Sequence, residues 1–284
     1  MALVLSEDQQ LLKDSAKNFC EQNAPVSVLR GLRDSKDEQG YDQAIWSQII
    51  ELGWAGMTIP EDYGGFDFGY GGLGVVLEET GKTLVSSPLI STVLVGATAI
   101  VQLGNETQKQ DLLPKIVAGE LLTALALDEH TNHNPSKIAT TATKVDGGYA
   151  LNGSKTFVLD GHVANMLIVA SRTSGETIGE QGISLFLVDA NAEGLNVVRT
   201  IMVDSRNSSN IQFNNVVVAE DALLGELDQG FNGLDSVLDI ARIGIAAEML
   251  GSMQAVFESI LEFLKQREQF GVLIGSFQGL QHRA

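Results

Sequence analysis

One cysteine, Cys20, stands in 284 residues, so no disulfide can form within the chain. A reducing compartment suits that, and a cytoplasmic location is expected. Basic residues are scarce, with 18 Lys and Arg against 36 Asp and Glu and a formal net charge of −18. Nucleic acid needs clustered cations and is excluded as a partner, as are anionic membrane surfaces. No run of about 18 uncharged apolar residues occurs, so no membrane span is expected. The opening "MALVL" is too short for a leader and lacks a basic flank. No GxGxxG joins a strand to a helix, which counts against a nicotinamide-binding domain. "YGGFDFGYGGLG" lacks the Gly-Lys-Ser/Thr ending of a phosphate loop, and no Ser-His-Asp grouping stands out. His130 and His133 lie three apart with His162 and His282 remote, so no metal site is expected.

What is present is apolar: 44% hydrophobic residues, enough for a packed core. The period of that apolarity changes twice. "SEDQQLLKDSAKNF" opens with Ser6 as N-cap and Gln9 three residues on, a capping box. "GLRDSKDEQGYD" reads as a loop, "AIWSQIIELG" as a helix closed by Gly53, and "WAGMTIPEDYGGFDFGYGG" as a loop. "LGVVLEETGKTLV", "STVLVGATAIVQLG" and "NETQKQDLLPKIVAGE" read as helices. Cys20 falls in an apolar helical stripe and is assigned to the core.

From Leu121 the segments are short and rich in Val, Ile, Thr and Phe, separated by turns such as "DGG" and "NGS", with "NGSK" read as a hairpin turn. Evenly spaced short strands predict an antiparallel barrel or sandwich. After "LLGELDQG" the helical period returns, with Ile245, Met249, Met253, Val256, Ile260 and Leu264 on one stripe of a helix from about Phe231 to Glu268. Such a stripe predicts a bundle. The expected class is α+β: an N-terminal helical domain over 1–120, a middle antiparallel β-barrel or sandwich over 121–228, and the start of a C-terminal helical bundle over 229–284.

Five strings, "GWAGMTIPEDYGG", "VLEETGKTL", "YALNGSKTFVLDG", "NNVVVAEDALLGE" and "REQFGVLIGSFQGLQH", together resemble the acyl-CoA dehydrogenase family, in its order and spacing over nearly the whole chain. "EETGKTLVSSPL" looks most like bacterial members acting on bulky or branched acyl-CoAs, including steroid side chains. The resemblance implies the same three domains. Measured against it, the chain is expected to stop early in the second helix of the bundle.

The resemblance also implies a chemistry. A carboxylate removes the α-proton of an acyl-CoA thioester while FAD takes hydride from the β-carbon, and an electron-transfer flavoprotein re-oxidises the flavin. On the first long helix, the position before Arg242 that can supply the base is Ala241, and the later position lies past Ala284. No catalytic residue is therefore assigned. Where the family has a Thr-Glu-Pro flavin stretch and a Gly-rich loop, this chain reads "LDEHTNHNP": Leu127 and Asp128 at the flavin, Asp128 replacing the Thr, His130 the Pro, and Thr131, Asn132, His133 and Asn134 the small residues. The second flavin strand, Trp-x-Thr in relatives, is Phe157, Val158 and Leu159. Asn134, Asp239 and Arg242 are the substrate-binding candidates. In "REQFG", Arg267, Gln269 and Phe270 match the segment that reaches a partner's FAD diphosphate, so a homo- or hetero-oligomer is expected. The alternatives are a non-catalytic partner subunit of a hetero-oligomeric dehydrogenase, and an acyl-CoA-binding protein without redox work.

Overall fold

The structure is a computed structural model that describes residues 4–284. Its first layer is helical. α1 (Glu7–Asn23) begins at the expected capping box: Ser6 Oγ accepts from Gln9 N at 3.2 Å, and Gln9 Oε1 accepts from Ser6 N at 3.1 Å. α2 (Val26–Ser35) occupies half of the stretch read as a loop. Pro25 supplies a preset φ at its N-cap, and Lys36 ends it in the left-handed region. α3 (Gln43–Glu51) starts at Asp42, whose carboxylate accepts from Ala44 N and Ile45 N. α4 (Gly69–Thr83) begins among the glycines assigned to the preceding loop. The apolar stretch that follows is a π-helical segment (Leu89–Ala97) running into α5 (Thr98–Leu103), and α6 (Glu106–Val117) opens on a second capping box, Asn105 with Gln108.

The second layer is one eight-stranded sheet, ordered β6-β7-β3-β2-β4-β5-β8 with β1 on β4. The strands are β1 (Thr123–Ala126), β2 (Thr141–Val145), β3 (Gly148–Leu159), β4 (Met166–Arg172), β5 (Ile183–Asp189), β6 (Leu195–Ile201), β7 (Asn207–Ala219) and β8 (Leu223–Leu224). Pairing is antiparallel except that β1 lies parallel to β4 and Thr141 meets Arg172 in parallel. Alternation along β4 and β5 divides two cores. Ile168, Ala170, Ile183 and Leu185 pack with Ile100, Ile116 and Leu234 of the helices, while Leu167, Val169, Phe186 and Val188 pack with Ile211, Phe213 and Val216 across the sheet. A third core lies among α1, α3, α4 and the π-helical segment, with Cys20 buried in it.

One local reading is overturned. "NGSK" is no hairpin turn, because residues 152–155 run through the middle of β3. Gly153, at φ +147°, instead marks a bulge where the register against β7 shifts. α7 (Gly230–Gln266) stops, β9 (Glu268–Gln269) and β10 (Val272–Leu273) form a small hairpin, and only α8 (Gln278–Gln281) resumes the helix.

α7 is long and apolar enough, by length and composition, to cross a membrane. Here its glycines seat it on the helical layer. A Cβ on Gly251 would overlap the Glu78 carbonyl, and one on Gly81 of α4 would overlap that of Glu248. Ion pairing of Arg206 with Glu248 at 2.5 Å ties α7 to the β6–β7 turn. Beyond those seats the stripe is bare: Met249, Met253, Val256 and Ile260 are exposed.

Candidate functional site

The chain leaves β1 at Leu127 and returns to the sheet at β2. The excursion between carries most of the candidate residues. Its base is closed by buried charge. Glu129 accepts from Ala139 N at 2.7 Å and Thr140 N at 2.8 Å, and its Oε1 accepts from Lys155 Nζ at 2.8 Å. The same ammonium donates to the Leu127 carbonyl at 2.9 Å. The Lys155 side chain is 0% exposed and that of Glu129 5%, so neither charge is shared with solvent. Burial pushes the Lys155 ammonium down to about 8 against the pull of Glu129. Burial also works to raise the Glu129 carboxyl, but Lys155 overrides it and holds the group below its ordinary value. Both are therefore charged at neutral pH.

Immediately after Lys155 the strand bulges. Register is lost between Lys155 and Val158, and Phe157 adopts φ +53°. A bulky residue rarely takes that conformation, and here it turns the ring outward, 48% exposed. Thr156 N donates to Asp128 O at 2.7 Å, so the bulge and the start of the loop are adjacent. Asp128 carries its own partner: His133 Nδ1 lies 3.0 Å from Oδ2. Asn134 turns inward on the loop, its Oδ1 accepting from Ser136 Oγ at 2.9 Å. Val158 and Leu127 are buried in core clusters, so only their main chain can meet a ligand. Leu159 packs against the helical core.

The far end of the loop is held by Arg172, whose guanidinium donates to the carbonyls of Ser136 at 3.3 Å and Ile138 at 3.4 Å, and to those of Thr177, Gly179 and Gln181. Asp160, just past the bulge, is buried against the π-helical segment and accepts from Ser91 Oγ at 2.7 Å. Burial pushes its carboxyl up to about 6, with Ser91 working the other way.

The remaining candidates lie on α7 and after it. Arg242 Nη1 meets Asp239 Oδ1 at 2.5 Å, both exposed, and Ala241 beside them is buried in the core. Phe270 is exposed at the hairpin tip with φ +56°, its ring centroid 6.3 Å from that of Phe277, and Gln269 Nε2 donates to Glu268 O. Among the described residues no hydrogen bond or ion pair joins Asp239, Arg242, Arg267, Gln269 or Phe270 to the loop of 128–139. The structure thus brings Leu127, Asp128, Asn134, Phe157, Val158 and Leu159 to the loop and the bulge, and leaves Asp239, Arg242, Arg267, Gln269 and Phe270 apart within one chain.

Sequence reading missed Glu129, Lys155, Asp160 and Arg172. A signal existed for Lys155: it falls in phase with the inward Tyr149 and Leu151 of β3, an odd place for a lysine unless a carboxylate awaits it.

An outward aromatic ring at a strand bulge fits a planar heteroaromatic ligand. The Asp128 carboxylate nearby has His133 Nδ1 at 3.0 Å.

Comparison with known proteins agrees with this architecture. The N-terminal, middle and C-terminal domains of acyl-CoA dehydrogenase match residues 6–120, 125–216 and 228–284. The chain is 32% identical over 288 residues to a mitochondrial 2-methylacyl-CoA dehydrogenase of Solanum tuberosum, covering 99% of this chain and 69% of that one. Butyryl-CoA dehydrogenase from Megasphaera elsdenii superposes with a TM-score of 0.87 at 31% identity, over 100% of this chain and 75% of the other. A chain of the ChsE4-ChsE5 complex from Mycobacterium tuberculosis does so at 0.88 and 25%, covering 100% and 73%. With three consecutive domains matched in order and one fold shared along their length, the chain belongs to the acyl-CoA dehydrogenase family.

Proposed function

We propose that this chain binds FAD and an acyl-CoA thioester as part of an α,β-dehydrogenating assembly, without itself carrying the base that removes the α-proton. The observation that carries the cofactor half is Phe157, an exposed ring on a bulged strand hydrogen-bonded to the main chain of Asp128. FAD, when bound, supplies the hydride acceptor. This chain's residues would do the rest of the holding. Phe157 offers a stacking face, and the main chain of residues 127–129 and 157–159 offers polar contacts. The Asp128 carboxylate, with His133 Nδ1 at 3.0 Å, would oppose negative charge on the ring by Coulomb repulsion. Arg267, at the end of α7, suits the diphosphate of a FAD held by a second subunit, and Phe270, exposed with Gln269 on the following hairpin, suits packing on the flavin or adenine. Asn134, Asp239 and Arg242 are assigned to acyl-CoA, and an electron-transfer flavoprotein is the proposed acceptor. A cytoplasmic setting suits the single cysteine.

The altered flavin stretch favours the second reading, a non-catalytic subunit of a hetero-oligomer: Asp128 and Leu159 stand where the family pattern has threonines. The ChsE4-ChsE5 likeness is consistent with pairing of two chains.

The test is reconstitution. Titration with FAD is expected to quench flavin fluorescence, and Phe157→Ala to weaken binding about tenfold, the scale of one aromatic stacking contact. The chain alone should give no dye reduction with straight or branched acyl-CoAs. Turnover by the chain alone would refute the missing base. Absence of any flavin binding, with acyl-CoA still bound, would leave only an acyl-CoA-binding role.

A further inference from the structure

Resting on the flavin reading, we infer that Glu129 and Lys155 are positioning residues: one buried ion pair clamps both ends of the 128–139 loop and ties them to the β3 bulge, so that loop and Phe157 present a single cofactor face. Twelve residues leave the sheet after Leu127 without an α-helix or strand of their own. A loop of that length holds one shape only if its ends are fixed. The Glu129 carboxylate does the fixing, because it sits at the loop's entry and accepts from both amides at its exit, Ala139 and Thr140. Lys155 extends the clamp to the sheet. Its ammonium bridges the Leu127 carbonyl and Glu129, and it immediately precedes the bulge that turns Phe157 outward. Both side chains are shut from solvent, so each charge is balanced by its partner and by the main-chain groups it bonds rather than by water. Arg172 secures the exit independently, through the carbonyls of Ser136 and Ile138. That leaves the entry and the bulge as the part that depends on the pair.

The test uses the intact chain with and without FAD. Lys155→Met, Glu129→Gln, Lys155→Met with Glu129→Gln, and Lys155→Arg are compared by amide hydrogen exchange of peptides spanning 128–140 and by fluorescence titration with FAD. The expected result is exchange faster by about tenfold or more in either charge-breaking single variant, with FAD affinity reduced by about tenfold. The double variant should be no worse than the poorer single, since the two groups act as one, and Lys155→Arg should restore affinity. If Lys155→Met does not fold by circular dichroism, Glu129→Gln, which keeps the shape and removes the charge, carries the test. Unchanged exchange in the single variants, or losses that simply add in the double, would overturn the clamp. Faster exchange with unaltered FAD affinity would overturn its role in cofactor positioning. If the wild-type chain bound no FAD while the exchange pattern held, the flavin reading would fail and the clamp would be upheld as a loop anchor.

Discussion

Asp160→Asn should make this protein more stable, and more so as pH rises. The Asp160 carboxyl is buried between the bulged strand and the π-helical segment, with Ser91 Oγ as its side-chain hydrogen-bond donor. Burial raises it from 3.8 to about 6. The folded state therefore holds the proton more tightly than the unfolded chain does. The group's contribution is fully favourable below 3.8, is lost as pH climbs through about 6, and stays lost above. Integrated over that window, the penalty is about 1.6 kcal/mol at pH 5 and about 3 kcal/mol at pH 7.5. Asparagine escapes it. Its amide oxygen can still accept from Ser91, and asparagine tolerates the φ of +54° that Asp160 occupies. Urea unfolding of both proteins at pH 5 and pH 7.5 reads the difference, and every other carboxylate cancels between them. Work below pH 5 is avoided because the sequence pI is about 4.5. At pH 7.5 the variant should melt about 6 °C higher. A variant no more stable than wild type at pH 7.5, or a gain of equal size at both pH values, would refute the reasoning.

Three further outcomes follow from packing. Gly251→Val should cost about 1–3 kcal/mol or more by urea midpoint, because its Cβ would overlap the Glu78 carbonyl across the α4–α7 crossing. Gly279→Ala, with nothing within 4 Å of its Cβ, is the control and should change stability by less than about 0.5 kcal/mol. Cys20, whose thiol burial pushes up to about 12, should ignore an aromatic disulfide reagent at pH 8 and react only once the chain is denatured. The exposed apolar stripe on α7 should make the isolated chain associate, and a sharp monomeric gel-filtration peak at micromolar concentration would contradict that.

Much of the molecule was legible because its signals are local. The capping box at Ser6 needs only a donor and an acceptor three residues apart. The shift from period 3.6 to period 2 near Leu121 and back near Gly230 marks the layers. α2 was missed because its ten residues span under three turns and run without a stop signal into a polar stretch, and the stretch around Gly69 because glycines there begin a helix that tertiary packing supports. Of the candidate site, Phe157 and Asp128 were found by likeness to a family. The clamp beneath them was not, since Glu129 and Lys155 are 26 residues apart and meet only when the sheet forms.

The division into helical, strand and helical segments, the absence of a carboxylate at Ala241 and the acidity of the chain were decided by the sequence alone, because each depends on residue identity or on the local period of apolar residues. The direction of Phe157, the inward course of Lys155 and the conversion of "NGSK" from turn to bulge were decided only by tertiary structure. Each depends on the register of β3 against β7, strands separated by some 50 residues of chain. In a strand the side chains alternate, so one residue of slip exchanges the faces, and that slip is set by the partner strand.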